Sequence, residues 1–179
     1  MLGWAALAQR KYAQAREVIA QGLELSRRAG DARGIFYGTG NLGHVAAREG
    51  RYEEAAQLLR EALLIGQHQD VQSEADGLQE LSALAVAQRH YEEAAVLLGA
   101  AAALLEGAEA VQEEVARDLR EETVAALHRN LEEDDFTAAW ERGRAMTLEQ
   151  AVAYAVQFID SPGRTGQIEM SRGGADPPG

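Results

Sequence analysis

Apolar residues return along this chain at the three- and four-residue steps of an α-helix, not at the two-residue step of a strand. In "GRYEEAAQLLREAL", residues 50–63, that spacing puts Tyr52, Ala55, Leu59 and Ala62 on one face and leaves acids and glutamine opposite, an amphipathic helix with one side to bury. The phrase recurs. "QRKYAQAREVIAQGL" stands before it and "QRHYEEAAVLLGAA" after it, so Tyr12, Tyr52 and Tyr91 align with Ala15, Ala55 and Ala94 three residues on, and with Ile19, Leu59 and Leu98 four beyond those. The tyrosines lie 40 and then 39 residues apart. Nine residues before each stands a small residue, Gly3, Gly43 or Ser82, where it lets two helices approach closely. The connecting turns read "AQRKY", "REGRY" and "AQRHY", a basic or glycine break before the aromatic that opens the next helix. Each unit is therefore expected to be a helical hairpin, with Gly30 ending one helix and Asp31 capping the next. One pair of helices cannot cover its own apolar side, so the units are expected to stack in order.

Beyond the third unit the pattern loosens. Residues 108–131 carry Val111, Val115, Leu119, Val124, Leu127 and Leu131 as one buried stripe. "EEDDFTAAWERGRAM" then sets Phe136 and Ala139 where the earlier tyrosines and alanines stood, with Gly143 expected to end that helix. In "TLEQAVAYAVQFI", Thr147 is the N-cap and Gln150 holds the capping-box position, with Leu148, Ala151, Val152, Ala155, Val156 and Ile159 able to face inward. Residues 161–179 are rich in Gly, Pro, Ser and charge and are expected to form a disordered tail.

Leucine-glycine early in the first helix, a glycine at the turn, an aromatic two residues later and alanines in the second helix resemble the tetratricopeptide repeat (TPR). The second unit has all of these, as Leu42, Gly43, Gly50, Tyr52, Ala55 and Ala62. The first keeps Leu2, Gly3, Tyr12 and Ala15 with Arg10 at the turn; the third keeps Tyr91, Ala94 and Ala101 and lacks both glycines. The run "FTAAWERGRAMTLEQAVAYAV", preceded by "AVLLGAAAALLE" and an acidic helix, extends the likeness. Over roughly residues 35–160 the chain resembles the C-terminal TPR-like region of large bacterial signalling ATPases, the LuxR/AfsR-type transcriptional regulators and related nucleotide cyclases. The resemblance implies an all-α fold, a right-handed α-solenoid of about four TPR-like hairpins over residues 1–30, 31–69, 70–107 and 108–145, and a closing C-terminal helix over 147–159. It implies a non-catalytic protein-interaction or sensing module, the repeat portion of a bacterial regulator, that engages a protein, a peptide or a sibling domain of a larger chain. No G-x-x-x-x-G-K-[ST] phosphate loop is present, so the ATPase itself is not expected here. Met1 falls inside the first helix of the first unit, and a piece or degenerate copy of a longer protein is expected.

In the repeat family the first helix of each hairpin lines a concave groove. The register set by Gly43 and Tyr52 puts Tyr37, Asn41, His44 and Arg48 there; the third unit adds Asp76, Gln79, Glu80 and Ala83, and the first Trp4 and Leu7. Family members that clamp a C-terminal carboxylate use basic residues at the positions of Asp76 and Glu80. Two acids there would repel such a ligand despite the matching Asn41, which leaves a basic peptide or an intramolecular domain contact as the expected occupant. The alternative is a free-standing scaffold or adaptor that self-associates, through the apolar surface of Trp4, Leu7 and Val18 in the shortened first unit or through Trp140 and Tyr154.

Composition narrows the remaining classes. Of 179 residues 35 are alanine and none is cysteine, which suits helices, excludes a disulfide framework or thiolate metal site, and makes a cytoplasmic protein the expectation. No apolar run has the length of a membrane span. The net charge of -12 is uneven: residues 1–65 hold nine Arg or Lys against seven acids, residues 106–135 eleven acids against three Arg. Phosphate backbones would be repelled by the acidic segment, so no direct nucleic-acid binding is expected. His44, His68, His90 and His128 lie on different helices in no metal-binding spacing. His128 and Glu132 are four apart and could share an ion, an exposed charged pair being the simpler account. With no serine in a nucleophile context, neither catalysis nor a cofactor is expected.

Overall fold

The computed structural model of the protein describes residues 11–67, 69–108 and 114–161, and every regular element among them is an α-helix. In chain order these are α1 (Tyr12–Ala29), α2 (Ala32–Arg48), α3 (Tyr52–Gly66), α4 (Val71–Ala87), α5 (Tyr91–Ala108), α6 (Glu114–Asn130), α7 (Glu133–Arg144) and α8 (Leu148–Asp160). Leu2, Gly3, Trp4, Leu7, Arg10, His68 and Val111 lie outside the described residues, as do the side chain of Val115 and the expected tail beyond Ser161.

The repeated phrase performs the same task each time. Tyr12, Tyr52 and Tyr91 each open a helix and are half-buried, while Ala15, Ala55 and Ala94 are sealed from solvent. Those alanines donate their N–H groups to the carbonyls of Lys11, Arg51 and His90 at 2.9, 3.0 and 3.0 Å. The two turns between α2 and α3 and between α4 and α5 match bond for bond. Gly50 and Arg89 donate to Ala47 and Val86 at 3.1 and 3.0 Å, and Arg51 and His90 donate to Ala46 and Ala85 at 2.9 and 2.8 Å. This closure of a helix end needs one residue in the left-handed region, supplied by Gly50 at φ 76° and by Arg89 at φ 65°. Glycine adopts it freely; a residue with a Cβ does so at a cost of about 1 kcal/mol.

Small residues bring the paired helices together. A Cβ on Gly43 would stand 2.8 Å from Leu59, so α2 and α3 pack there without a side chain between them. In the third unit Ser82 takes the place of that glycine, and its buried hydroxyl donates to the Ala94 carbonyl at 2.7 Å, a hydrogen bond across the α4–α5 seam. Gly30 ends α1 at φ 68°, and the Asp31 carboxylate caps α2 by accepting from the Gly34 N–H at 3.0 Å.

Neighbouring pairs meet in order: α1 on α2, α2 on α3, α3 on α4, α4 on α5, with α2 also touching α4 and α4 touching α6. One apolar core runs through them, including Leu59 and Leu63 of α3, Leu78, Leu81 and Leu84 of α4, Leu97 and Leu98 of α5, and Leu127 of α6. A smaller cluster of Ala15, Ile19 and Val45 attaches α1.

The C-terminal part departs from the expected fourth hairpin and closing helix. α7 packs chiefly on α5 and only slightly on α6. Gly143 does not end its helix; it lies buried within α7, and a Cβ on it would collide with the Val96 carbonyl, as one on Gly99 would collide with that of Trp140. The two backbones therefore touch, and Arg142–Glu92 at 3.0 Å and Arg144–Glu106 at 2.8 Å flank the contact. α8 lies across α3, α4 and α5 instead of lengthening the row. Its capping box is formed, with the Thr147 N–H donating to Gln150 Oε1 at 2.9 Å and the Gln150 N–H to Thr147 Oγ1 at 3.3 Å. Phe158, which the apolar pattern passed over, is buried edge-on to His90 at 5.7 Å between ring centres, whereas Ile159 is half-buried.

Candidate functional site

Three helices, α2, α4 and α6, enclose a cavity of about 470 Å³. Helical periodicity builds each wall: His44, Ala47 and Arg48 from α2, Glu80, Ala83, Leu84 and Ala87 from α4, and Leu119, Glu122, Thr123 and Ala126 from α6 all recur at three- or four-residue steps. Leu59 of α3 and Arg129 of α6 complete it. Most of this surface is small and apolar, so the few polar groups dominate its chemistry.

Glu80 is the most unusual of them. Its Oε2 is shielded from solvent and has no hydrogen-bond partner among the described residues. The carboxyl lies against Gly40, where a Cβ would stand 2.5 Å and 2.9 Å from its two oxygens; the missing side chain is what makes room for it. Burial, and then the neighbouring Asp76, push its pKa up to about 8, so that the group is largely protonated at neutral pH. His44 is buried beside it on α2, and burial, then the charge of Arg48, bring its pKa down to about 4 against the opposing pull of Glu122. The imidazole is therefore neutral at neutral pH. Arg48 spans the cavity from α2 to α6: its Nη2 donates to Glu122 Oε2 at 2.5 Å, while its Nε donates to His44 Nε2 at 3.5 Å. With Nε2 accepting, the neutral ring carries its proton on Nδ1.

A second cluster joins α2 to α4. The Tyr37 hydroxyl donates to Asp76 Oδ2 at 3.3 Å, the Gln72 amide donates to Asp76 Oδ1 at 2.8 Å, and the Arg33 guanidinium sits 5.6 Å from the centre of the Tyr37 ring. Of the expected groove residues, His44, Arg48 and Glu80 thus share one cavity, and Tyr37 and Asp76 bond to each other outside its lining. Asn41 is half-buried; Gln79 is buried, with neither amide atom partnered among the described residues. Trp4 lies outside the described residues. The third step of the groove is also less acidic than its two carboxyls imply, because Glu80 is held neutral.

Sequence reasoning missed the α6 wall and Gly40. The signal for α6 was present: carrying the 39-residue spacing one unit further takes Ala83 to Glu122 and Ala87 to Ala126. Gly40 stands four residues before His44, on the same helix face. Among the described residues no group of three or more His, Asp or Glu side chains could hold a metal ion, and His128 pairs with Glu133 at 3.4 Å, not with Glu132. No described helix is long and apolar enough to cross a membrane. Comparison with family models, with curated proteins and with solved structures finds no match to this chain.

Proposed function

We propose that this chain is a non-catalytic recognition module: a solenoid of tetratricopeptide-like hairpins that acts as the partner- or ligand-sensing arm of a bacterial transcriptional or signalling regulator. The observation that carries this reading is the cavity between α2, α4 and α6, whose walls come from equivalent stretches of successive units and whose polar groups include His44, Arg48 and Glu80. The matched turns at Gly50 and Arg89 support a repeated architecture around it. Small apolar walls with a few placed polar groups suit the binding of a side chain or small ligand. A peptide of basic character is the partner class we favour, because Glu80, Asp76 and Glu122 all lie on or beside this face.

The test is an array of short basic and acidic peptides probed with the purified chain and with a Tyr37→Ala, Asn41→Ala, Arg48→Ala triple variant of unchanged helix content by circular dichroism. Binding to a subset of basic peptides, lost in the triple variant, is expected. Capture that the triple change leaves intact would remove the groove as the recognition surface.

A further inference from the structure

We infer that the cavity between α2, α4 and α6 is a subsite for one guanidinium or ammonium head of the partner, with Glu80 as its counter-ion, and that the cation enters in exchange for a proton. This rests on the proposed reading of the groove and names the chemistry of one position within it.

The geometry comes first. Glu80 presents a carboxyl whose Oε2 has no hydrogen-bond donor among the described residues, on a stripe of α4 that otherwise offers Ala83, Leu84 and Ala87 to the cavity. A buried acceptor without a donor costs about 1–3 kcal/mol, and a donor brought by a ligand recovers it. Gly40 holds the carboxyl between the helices and contributes no side chain that could satisfy it. The apolar walls suit the alkyl stem of an arginine or lysine, whose head alone needs polar partners.

Charge decides the sign. The titratable and charged groups around Glu80 are Tyr37, His44 and Arg48 from α2, Asp76 on α4 itself, and Glu122 and Arg129 from α6. Arg48 is already paired with Glu122 at 2.5 Å, and Arg129 sits exposed at the rim, where solvent and salt screen it. His44 stays neutral above about pH 4. A cation added to protonated Glu80 would raise the charge of the lining by one; a cation that displaces the proton leaves it unchanged. Exchange avoids the cost of charging a low-dielectric site, and the ion pair that forms brings the N–H donors Oε2 lacks. The proton leaves Glu80 for solvent, and no other bond changes.

The experiment is calorimetric titration of the intact chain with acetyl-arginine amide, in two buffers of different protonation enthalpy. Acetyl-citrulline amide, the neutral isostere, and the Glu80→Gln variant serve as controls. At about pH 7, close to one proton should be released per guanidinium bound, and affinity should rise by nearly tenfold per pH unit from pH 6 towards 8 and then level off. The citrulline compound should bind at least tenfold more weakly, and Glu80→Gln should abolish both proton release and pH dependence. Binding without proton release, equal binding of the two compounds, or no binding of the arginine compound across this pH range would overturn the subsite. The pH series needs only the unaltered chain and holds even if the variant folds poorly. Because the probe is a single residue, its failure leaves the peptide-array result standing and separable.

Discussion

At the scale of single residues, Glu80 and His44 set opposing pH dependences on the same cavity. The Glu80 carboxyl ionises near 4.5 when unfolded and near 8 when folded, so between those values the folded state binds more protons and stability falls as pH rises, at up to about 1.4 kcal/mol per pH unit. His44 titrates near 6.5 unfolded and near 4 folded; there the unfolded state binds more protons, and stability is lost as pH falls through that window. The two slopes largely cancel from about pH 4.5 to 6.5, and above 6.5 the Glu80 slope acts alone. Urea unfolding of Glu80→Gln beside the unaltered chain should show the variant gaining on it steadily between pH 6.5 and 8; parallel profiles would contradict the burial assigned to the carboxyl. Arg89 makes an independent prediction. Its left-handed backbone occupies the place that Gly50 fills without strain, so Arg89→Gly should raise stability by about 1 kcal/mol in the same assay, while Gly50→Ala lowers it by a similar amount. The repeat alignment made this legible in advance, since 50 and 89 differ by the same 39 residues that separate Tyr52 from Tyr91.

At the scale of elements, what the sequence pattern conveyed well was periodicity confined to one helix and its immediate turn. Tyr12, Tyr52 and Tyr91 open helices, Gly30 and Asp31 close and cap them, and Thr147 forms its box with Gln150, because each of these depends on residues within a few positions of one another. The placement of α7 and α8 depends instead on surfaces far apart in sequence. Gly143 followed by charged residues looks like a stop, and nothing local reveals that Gly99, 44 positions earlier, leaves a matching gap in α5. Phe158 was passed over for a similar reason: its burial is decided by His90 and the α3–α5 surface, not by the spacing of its own helix. The glycine crossing is open to a direct check. Gly143→Ala would drive a methyl group into the Val96 carbonyl, so α7 must shift, and a loss of about 2–4 kcal/mol is expected, with Trp140 emission moving to longer wavelength as that helix loosens. A variant with unchanged midpoint and emission would mean that α7 is not held against α5 in this way.

At the scale of the molecule, the consequence of these packings is a face built from α2, α4 and α6 with one enclosed cavity, covered on the other side by α3, α5, α7 and α8. Three of the eight expected groove residues line that cavity, because the concave register was anchored correctly at Gly43 and Tyr52; the α6 wall went unseen because residues 108–131 were read as a divergent stripe and not carried forward by the 39-residue step. The protonation of Glu80 was beyond sequence altogether, since it arises from the closure of α2 over α4 at Gly40. The central claim is that this face is where a cationic partner is recognised. Alanine and leucine methyl spectra recorded during titration with acetyl-Gly-Arg-Gly-amide test it most directly, because Ala83, Ala87, Leu119 and Ala126 report from the cavity walls while Ala139, Ala151 and Ala155 report from the α7 and α8 side. The account predicts saturable shifts concentrated on the first group and near zero on the second; shifts centred on α7 and α8, or none on the cavity walls at saturating peptide, would contradict it.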